Sequence, residues 1–259
     1  MTSAGKHLAQ RVAAATLFVM ITQANDLLNQ ARLAIGGQAL PKVQSFVAKG
    51  MVRRGFNSVT AQPDETPLPL EIRFRLPDSF LTIVESRGVV TKLGCIADKV
   101  VHSVESRRSG ATGGGTAPDN PRNIHDEFAR FVLAMFADTR TIKPLSVLPD
   151  ATRRIHVVAD KFDAYLDLDP PTKLPLRLRY QGQAGLPQRP LTQAEIRAAT
   201  SLPHRIVSGE IVMSLADRRT IDGLNIPHKI TWTMGDTRLQ EMIFETVQIN
   251  PPLGPEAFR

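Results

Sequence analysis

Asn123–Asp138, NIHDEFARFVLAMFAD, is the long helical pattern in the interior of a chain that otherwise reads as strands. At about 100° per residue, Ile124, Phe128, Phe131, Val132, Leu133, Met135 and Phe136 share an arc of roughly 200°. Asp126, Glu127, Arg130 and Asp138 occupy the rest. A helix resting on a sheet needs an apolar stripe only a little over 100° wide. The excess predicts a helix buried on two sides, or one whose face meets a ligand. Asn123 suits an N-cap and Asp126 a first turn, where side-chain oxygens and negative charge answer the unpaired N–H groups.

Upstream of this helix the pattern has period two. Leu70–Leu76 (LEIRFRL) places Leu70, Ile72, Phe74 and Leu76 on one face and Glu71, Arg73 and Arg75 on the other, as a half-buried strand requires. Val43–Arg54 precedes it, and Phe80–Ser86, Val89–Ile96 and Lys99–Glu105 follow across short turns. Connections this short make an antiparallel meander, because parallel strands need long crossovers. Downstream, strands are expected at Arg153–Asp160, Asp163–Asp169, Leu174–Gln181, Arg205–Leu215, Asn225–Met234 and Thr237–Ile249. Turn residues such as Asp222-Gly223 and Gly235-Asp236 link several of them. Two further helices are expected. Asn25–Ile35 carries Leu27, Leu28, Ala31 and Ile35 at helical spacing and stops at Gly36-Gly37, and Leu191–Leu202 opens with a Thr192/Glu195 capping box.

The count is about eleven strands, five before the central helix and six after it. Twist makes so wide a set curl, close or split. The fold class predicted is mainly β: a curved, incomplete antiparallel barrel with helices on its concave face and the central helix as plug. Such a half-barrel predicts an apolar cavity next to the helix, unless side chains fill it.

The composition is that of a globular protein, 42% hydrophobic and 22% charged, with a net charge of +7. The basic residues are scattered singly or in pairs along strands, which reads as solvated faces and not as a nucleic-acid surface. Attraction to an anionic membrane surface is compatible with the charge. Residues 1–24 read as a secretory signal peptide: Lys6 and Arg11, then the apolar Val12–Ile21, then Thr22-Gln23-Ala24. Its removal leaves +5 and one domain over 25–259, in the periplasm or outside the cell. Cys95 is the one cysteine. In an oxidising compartment a lone thiol is expected to be buried, and no cysteine near the cleavage point offers a lipid anchor.

The chemistry-bearing motifs are sparse. The glycine-rich 106–122 stretch reads as a mobile loop, since no Gly-Lys-Ser/Thr follows it. The histidines lack metal spacing, and His102, His156 and His228, within strands, read as surface or interface positions. Asp167/Asp169 and Asp160/Asp163 read as turn formers. No nucleophile elbow occurs, and no cofactor is expected.

Several phrases carry a family resemblance: Ala31–Gly37 with Val43-Gln44-Ser45-Phe46, EIRFRLPDSF at Glu71–Phe80, DAYLDLDPPTKLPLRLRY at Asp163–Tyr180, and DGLNIPHKITW at Asp222–Trp232 running to VQINPPLGPEAF at Val247–Phe258. In these the chain resembles the periplasmic lipoprotein-carrier superfamily, the LolA-like proteins with their LppX and RseB relatives. The resemblance implies an incomplete barrel of about eleven strands, lidded by helices, that binds a lipid or a lipoprotein acyl chain and catalyses nothing. The glycine-rich insertion departs from the family, and no counterpart of the chaperone's gating arginine is assigned. On this reading Phe128, Phe131, Val132, Met135 and Phe136 face the ligand, and Ile72, Phe74, Ile230 and Trp232 belong to the wall. Partners would be a lipid or acylated lipoprotein, with membrane-surface or envelope-protein contact and no nucleic acid. The alternative is an envelope sensor or interaction protein with the same fold and no cargo.

Overall fold

The computed structural model describes residues 25–55, 65–97, 99–107, 112–113, 121–142, 146–151, 154–159, 162–187 and 204–259. The expected leader at 1–24 and the expected helix at Leu191–Leu202 lie outside these residues. Helix α1 (25–35) buries Leu28, Ala31 and Ile35, the spacing that its sequence predicts. It ends at Gly36, and Gly37 has φ +51°, a conformation open to glycine because it lacks Cβ. A 3-10 helix (Gly37–Lys42) leads to the first strand.

The strands before the central helix are β1 (Ser45–Arg54), β2 (Leu68–Arg75), β3 (Ser79–Ser86), β4 (Val89–Ile96), β5 (Lys99–Ser106) and β6 (Thr112–Gly113). Helix α2 (Pro121–Phe136) follows. After it come β7 (Ser146–Ala151), β8 (Arg154–Ala159), β9 (Phe162–Leu168), β10 (Pro175–Pro187), β11 (His204–Ile221), β12 (Leu224–Met234) and β13 (Thr237–Ile249). Among the described residues the count is thirteen, where about eleven were expected. The two additions, β6 and β7, are the outer strands of the sheet. One is a two-residue stub inside the glycine-rich stretch. The other contains Pro149, whose missing N–H is tolerated at an edge. Helix α2 starts two residues earlier than expected, at Pro121, a residue compatible with a first helical turn. Asn123 therefore lies within that turn and not at its cap, and Asp126 lies beyond it.

All thirteen strands form one antiparallel sheet in the order β6-β5-β4-β3-β2-β1-β13-β12-β11-β10-β9-β8-β7. It consists of two meanders, β1 to β6 and β7 to β13, joined side by side where β1 pairs with β13. Asn250 fastens the end of this seam. Its side chain accepts from the Gln44 N–H at 2.7 Å and donates to the Lys42 carbonyl at 3.0 Å. It sits at φ +55°, which asparagine tolerates better than most residues.

The sheet is open and curled. β6 and β7 do not pair with each other. α2 nevertheless meets β4 and β5 from one half and β9, β10 and β11 from the other. Those groups are many strands apart, at about 4.8 Å per strand, while a helix with its side chains is only about 10–12 Å thick. The sheet must wrap around the helix for both contacts to exist. Its inner face carries Leu70, Ile72 and Phe74 of β2 and Phe46, Ala48 and Val52 of β1, all buried. The chain end crosses the outer face. There Phe258 is fully buried under the Arg75 guanidinium, 5.7 Å from the ring centre, and Arg73 donates to the Ala257 carbonyl at 2.8 Å.

Candidate functional site

The excess apolar arc of α2 is covered mainly by protein. From Phe131 to Ala137 every residue is buried. Three strand aromatics receive the helix. Phe46 stacks on Phe74 with ring centres 4.9 Å apart, and Phe136 meets both edge-on at 5.8 and 5.7 Å. Phe128 stacks on Phe80 at 5.2 Å. Such pairs add about 0.5–1.5 kcal/mol each beyond the area they bury. The far end of the helix is tied down by polar contacts. Arg32 of α1 donates to the Ala137 carbonyl at 2.9 Å and to the Thr139 hydroxyl at 3.3 Å. Arg140 binds Asp138 and donates to the Val43 carbonyl at 3.0 Å. Ala137 itself turns into the left-handed region, φ +48°, where helices commonly end.

The other half of α2 borders a cavity of about 400 Å³. Helix residues Glu127, Arg130 and Phe131 form one side. Ile72, Phe80, Thr82, Val84, Thr91 and Leu93 of β2–β4 form a second. Tyr180, Gln183, Ile211 and Met213 of β10–β11 form a third, and Trp232, Leu239, Gln240, Met242 and Arg54 complete the wall. Of the nine residues expected at a ligand, Phe131, Ile72 and Trp232 are on this wall. Phe128, Val132, Met135, Phe136, Phe74 and Ile230 belong to the packed core instead. The aromatic cluster of Phe46, Phe74 and Phe80 accounts for the displacement of the helix phenylalanines among these: side chains expected to touch a ligand touch the sheet.

The strand side of the cavity mixes apolar residues with Thr82, Thr91, Gln183, Gln240 and Arg54, and the helix side adds the charges of Glu127 and Arg130. Arg130 lies over the Tyr180 ring, 4.2 Å from its centre, and 3.9 Å from Asp126 one turn back. Its Nε is buried without an acceptor. The Tyr180 hydroxyl shares a hydrogen bond with Trp232, in which the indole N–H is the donor. Burial pushes the Tyr180 phenol up to about 12. Glu127 is exposed and lines the cavity, yet the protein packed around it raises its carboxyl above the usual range, with Arg130 opposing the shift. These polar residues were not picked out from sequence. Period-two alternation with Leu178 does point Tyr180 inward. Nothing local distinguishes Glu127 and Arg130 from solvated helix charges.

No protein-family model matches the sequence, and no curated protein matches it. Solved structures do. A LolA superfamily protein from Nitrosomonas europaea aligns over 91% of this chain and 97% of its own, with TM-score 0.50 and 9% identity. A DUF1329 family protein from Desulfovibrio piger aligns over 92% and 97%, with TM-score 0.50 and 10% identity. The chain has a LolA-like fold.

Within this LolA-like sheet several side chains depart from expectation. His228 is not at the surface. It is 2% exposed, on the inner face between Ile226 and Ile230, with Nδ1 3.1 Å from the Ile226 carbonyl. Asp167 forms no turn. It lies mid-strand between Arg154 and Arg179, at 2.7 and 2.8 Å. Cys95 is fully buried, as a lone thiol was expected to be, and burial pushes it up to about 11.

Proposed function

We propose that this chain is a periplasmic, non-enzymatic binding protein that holds one alkyl chain, of a lipid or of an acylated lipoprotein, in the cavity beside α2. The observation that carries the reading is the cavity of about 400 Å³ between the helix and a sheet wall that includes Ile72, Phe80, Val84, Leu93, Ile211 and Met213. At roughly 30 Å³ per methylene-sized group, the share of a water in the liquid, it holds about a dozen groups. That suits a single chain and not a bundle of them. Transfer of ten methylenes from water is worth about 8 kcal/mol. Association costs of 4 kcal/mol or more reduce this, so the complex is of the reversible strength that a carrier needs. The LolA-like fold supports a binding role, and the leader-like residues 1–24 support a periplasmic site.

Native mass spectrometry of protein purified under mild conditions tests the binding. The expected result is a population carrying one single-chain adduct, with uptake of a fluorescent fatty acid by the stripped protein. Purely apo protein with no uptake overturns the reading. A periplasmic product beginning after residue 24 is expected; an unprocessed product confined to the cytoplasm overturns the location.

A further inference from the structure

The headgroup that this cavity suits follows from two charges. Glu127 and Arg130 both line it, and residues three apart on a helix hold their Cβ atoms about 5–6 Å from each other on one face. They influence each other's charge without closing an ion pair. Arg130 instead lies over Tyr180 and toward Asp126. Glu127 has no hydrogen-bond donor or ion-pair partner among the described residues. Arg54, on the same wall, adds a second positive charge at an exposed position. The cavity thus presents a carboxylate one helix turn from a guanidinium whose buried Nε lacks an acceptor, on a wall that also carries Thr82, Thr91, Gln183 and Gln240.

Arg130 is the half-buried charge of the set, its Nε without an acceptor, and charge placed so is costly to leave unsatisfied. A bare alkyl phosphate would satisfy the arginines and bring its charge against Glu127. A bare alkylammonium would satisfy Glu127 and face Arg130. A head that carries both signs meets both needs, since the two side chains leave one helix turn together. We infer that the ligand is a single-chain amphiphile with a zwitterionic head, an ammonium donating to Glu127 and an anionic group accepting from Arg130. Phosphoethanolamine is the type. The inference rests on the chain-binding reading above and adds specificity to it.

Four ligands with one saturated chain, kept below their micelle concentrations, test it: the phosphoethanolamine, the alkyl phosphate, the alkylamine and the alkyl alcohol. Each competes with a fluorescent fatty acid for wild-type protein, Glu127→Gln and Arg130→Gln, with circular dichroism reporting the folding of each variant. Wild type is expected to bind the phosphoethanolamine about tenfold more tightly than the phosphate, the scale of one charge-assisted hydrogen bond. Glu127→Gln is expected to bring those two within twofold. Arg130→Gln is expected to remove the preference for phosphoethanolamine over alkylamine. Equal affinity for all four heads in wild type, or an unchanged ranking in folded Glu127→Gln, overturns the inference and leaves chain binding standing. No competition by any of the four, the alcohol included, overturns chain binding and this inference with it.

Discussion

Thr82→Phe is the substitution that most directly tests whether the cavity beside α2 sets the size of its ligand. Thr82 lies on β3, paired across the sheet with Ile72 and Leu93, and all three line the cavity. Phenylalanine is favoured in strands, so the prediction is a folded protein of equal or greater stability. The new ring adds about four heavy atoms to a space that holds about a dozen methylene-sized groups. Each displaced methylene forfeits about 0.8 kcal/mol. Four of them amount to about 3 kcal/mol, roughly a hundredfold in Kd. A series of saturated amphiphiles, read by fluorescent-probe displacement, checks both size and energy. In wild type the affinity is predicted to rise about fourfold per methylene and to level off near a dozen carbons. In Thr82→Phe it should level off about four carbons earlier, with long-chain binding weakened about a hundredfold. A folded Thr82→Phe protein with the wild-type plateau and affinity would refute the assignment of the cavity as the chain site.

Phe136→Ala removes a side chain that is 1% exposed and meets Phe46 and Phe74 edge-on. A loss of about 3–5 kcal/mol is predicted, measured by urea denaturation, and a loss under about 1 kcal/mol would contradict the packing. Burial alone would raise the Asp167 carboxyl, but hydrogen bonds from Arg154 and Arg179 outweigh it and hold its pKa below the usual range. A depressed carboxylate stabilises the fold above its unfolded pKa of about 3.9, and the contribution is lost as pH falls through the folded value. Wild type should therefore lose more stability than Asp167→Asn on titration from pH 6 into the range below 4, and parallel acid profiles would exclude the clamp. Cys95, pushed up to about 11 by burial, should resist alkylation at pH 8 in the native protein and react fully in denaturant; rapid native labelling would show that β4 opens.

Much of the sheet was legible because its inner face repeats faithfully. LEIRFRL announces β2, and the strands from β2 to β5 follow at the expected places because their short turns leave no room for another pairing. Strand β7 was not legible. It is short and holds Pro149, and only its position at the sheet edge makes that residue acceptable. The wide arc of α2 was readable as excess burial, but periodicity states which side is apolar and not what covers it. Phe46, Phe74 and Phe80 cover Phe128 and Phe136, and that match depends on how a curled sheet brings β1–β3 under the helix. His228 shows a reading in which residue type outweighed pattern. Its alternation with Ile226 and Ile230 already directs it inward. Glu127 and Arg130 lay beyond sequence reasoning, because whether a helix charge meets solvent or a cavity is decided by strands far away in the chain.

The side-by-side joining of the two meanders has a kinetic consequence. Among the described residues every strand pair except one links neighbours in sequence, and such hairpins close over far less chain than the exception does. The exception is β1 with β13, whose seam brings together residues 206 positions apart, Gln44 and Asn250. Non-local closures of this kind set folding speed, so the slow event in refolding should be the docking of one preformed half against the other. Truncating Phe46 or Phe244, both fully buried on the seam strands, is then expected to slow refolding. An equally destabilising change in the β8–β9 hairpin should act mainly by speeding unfolding.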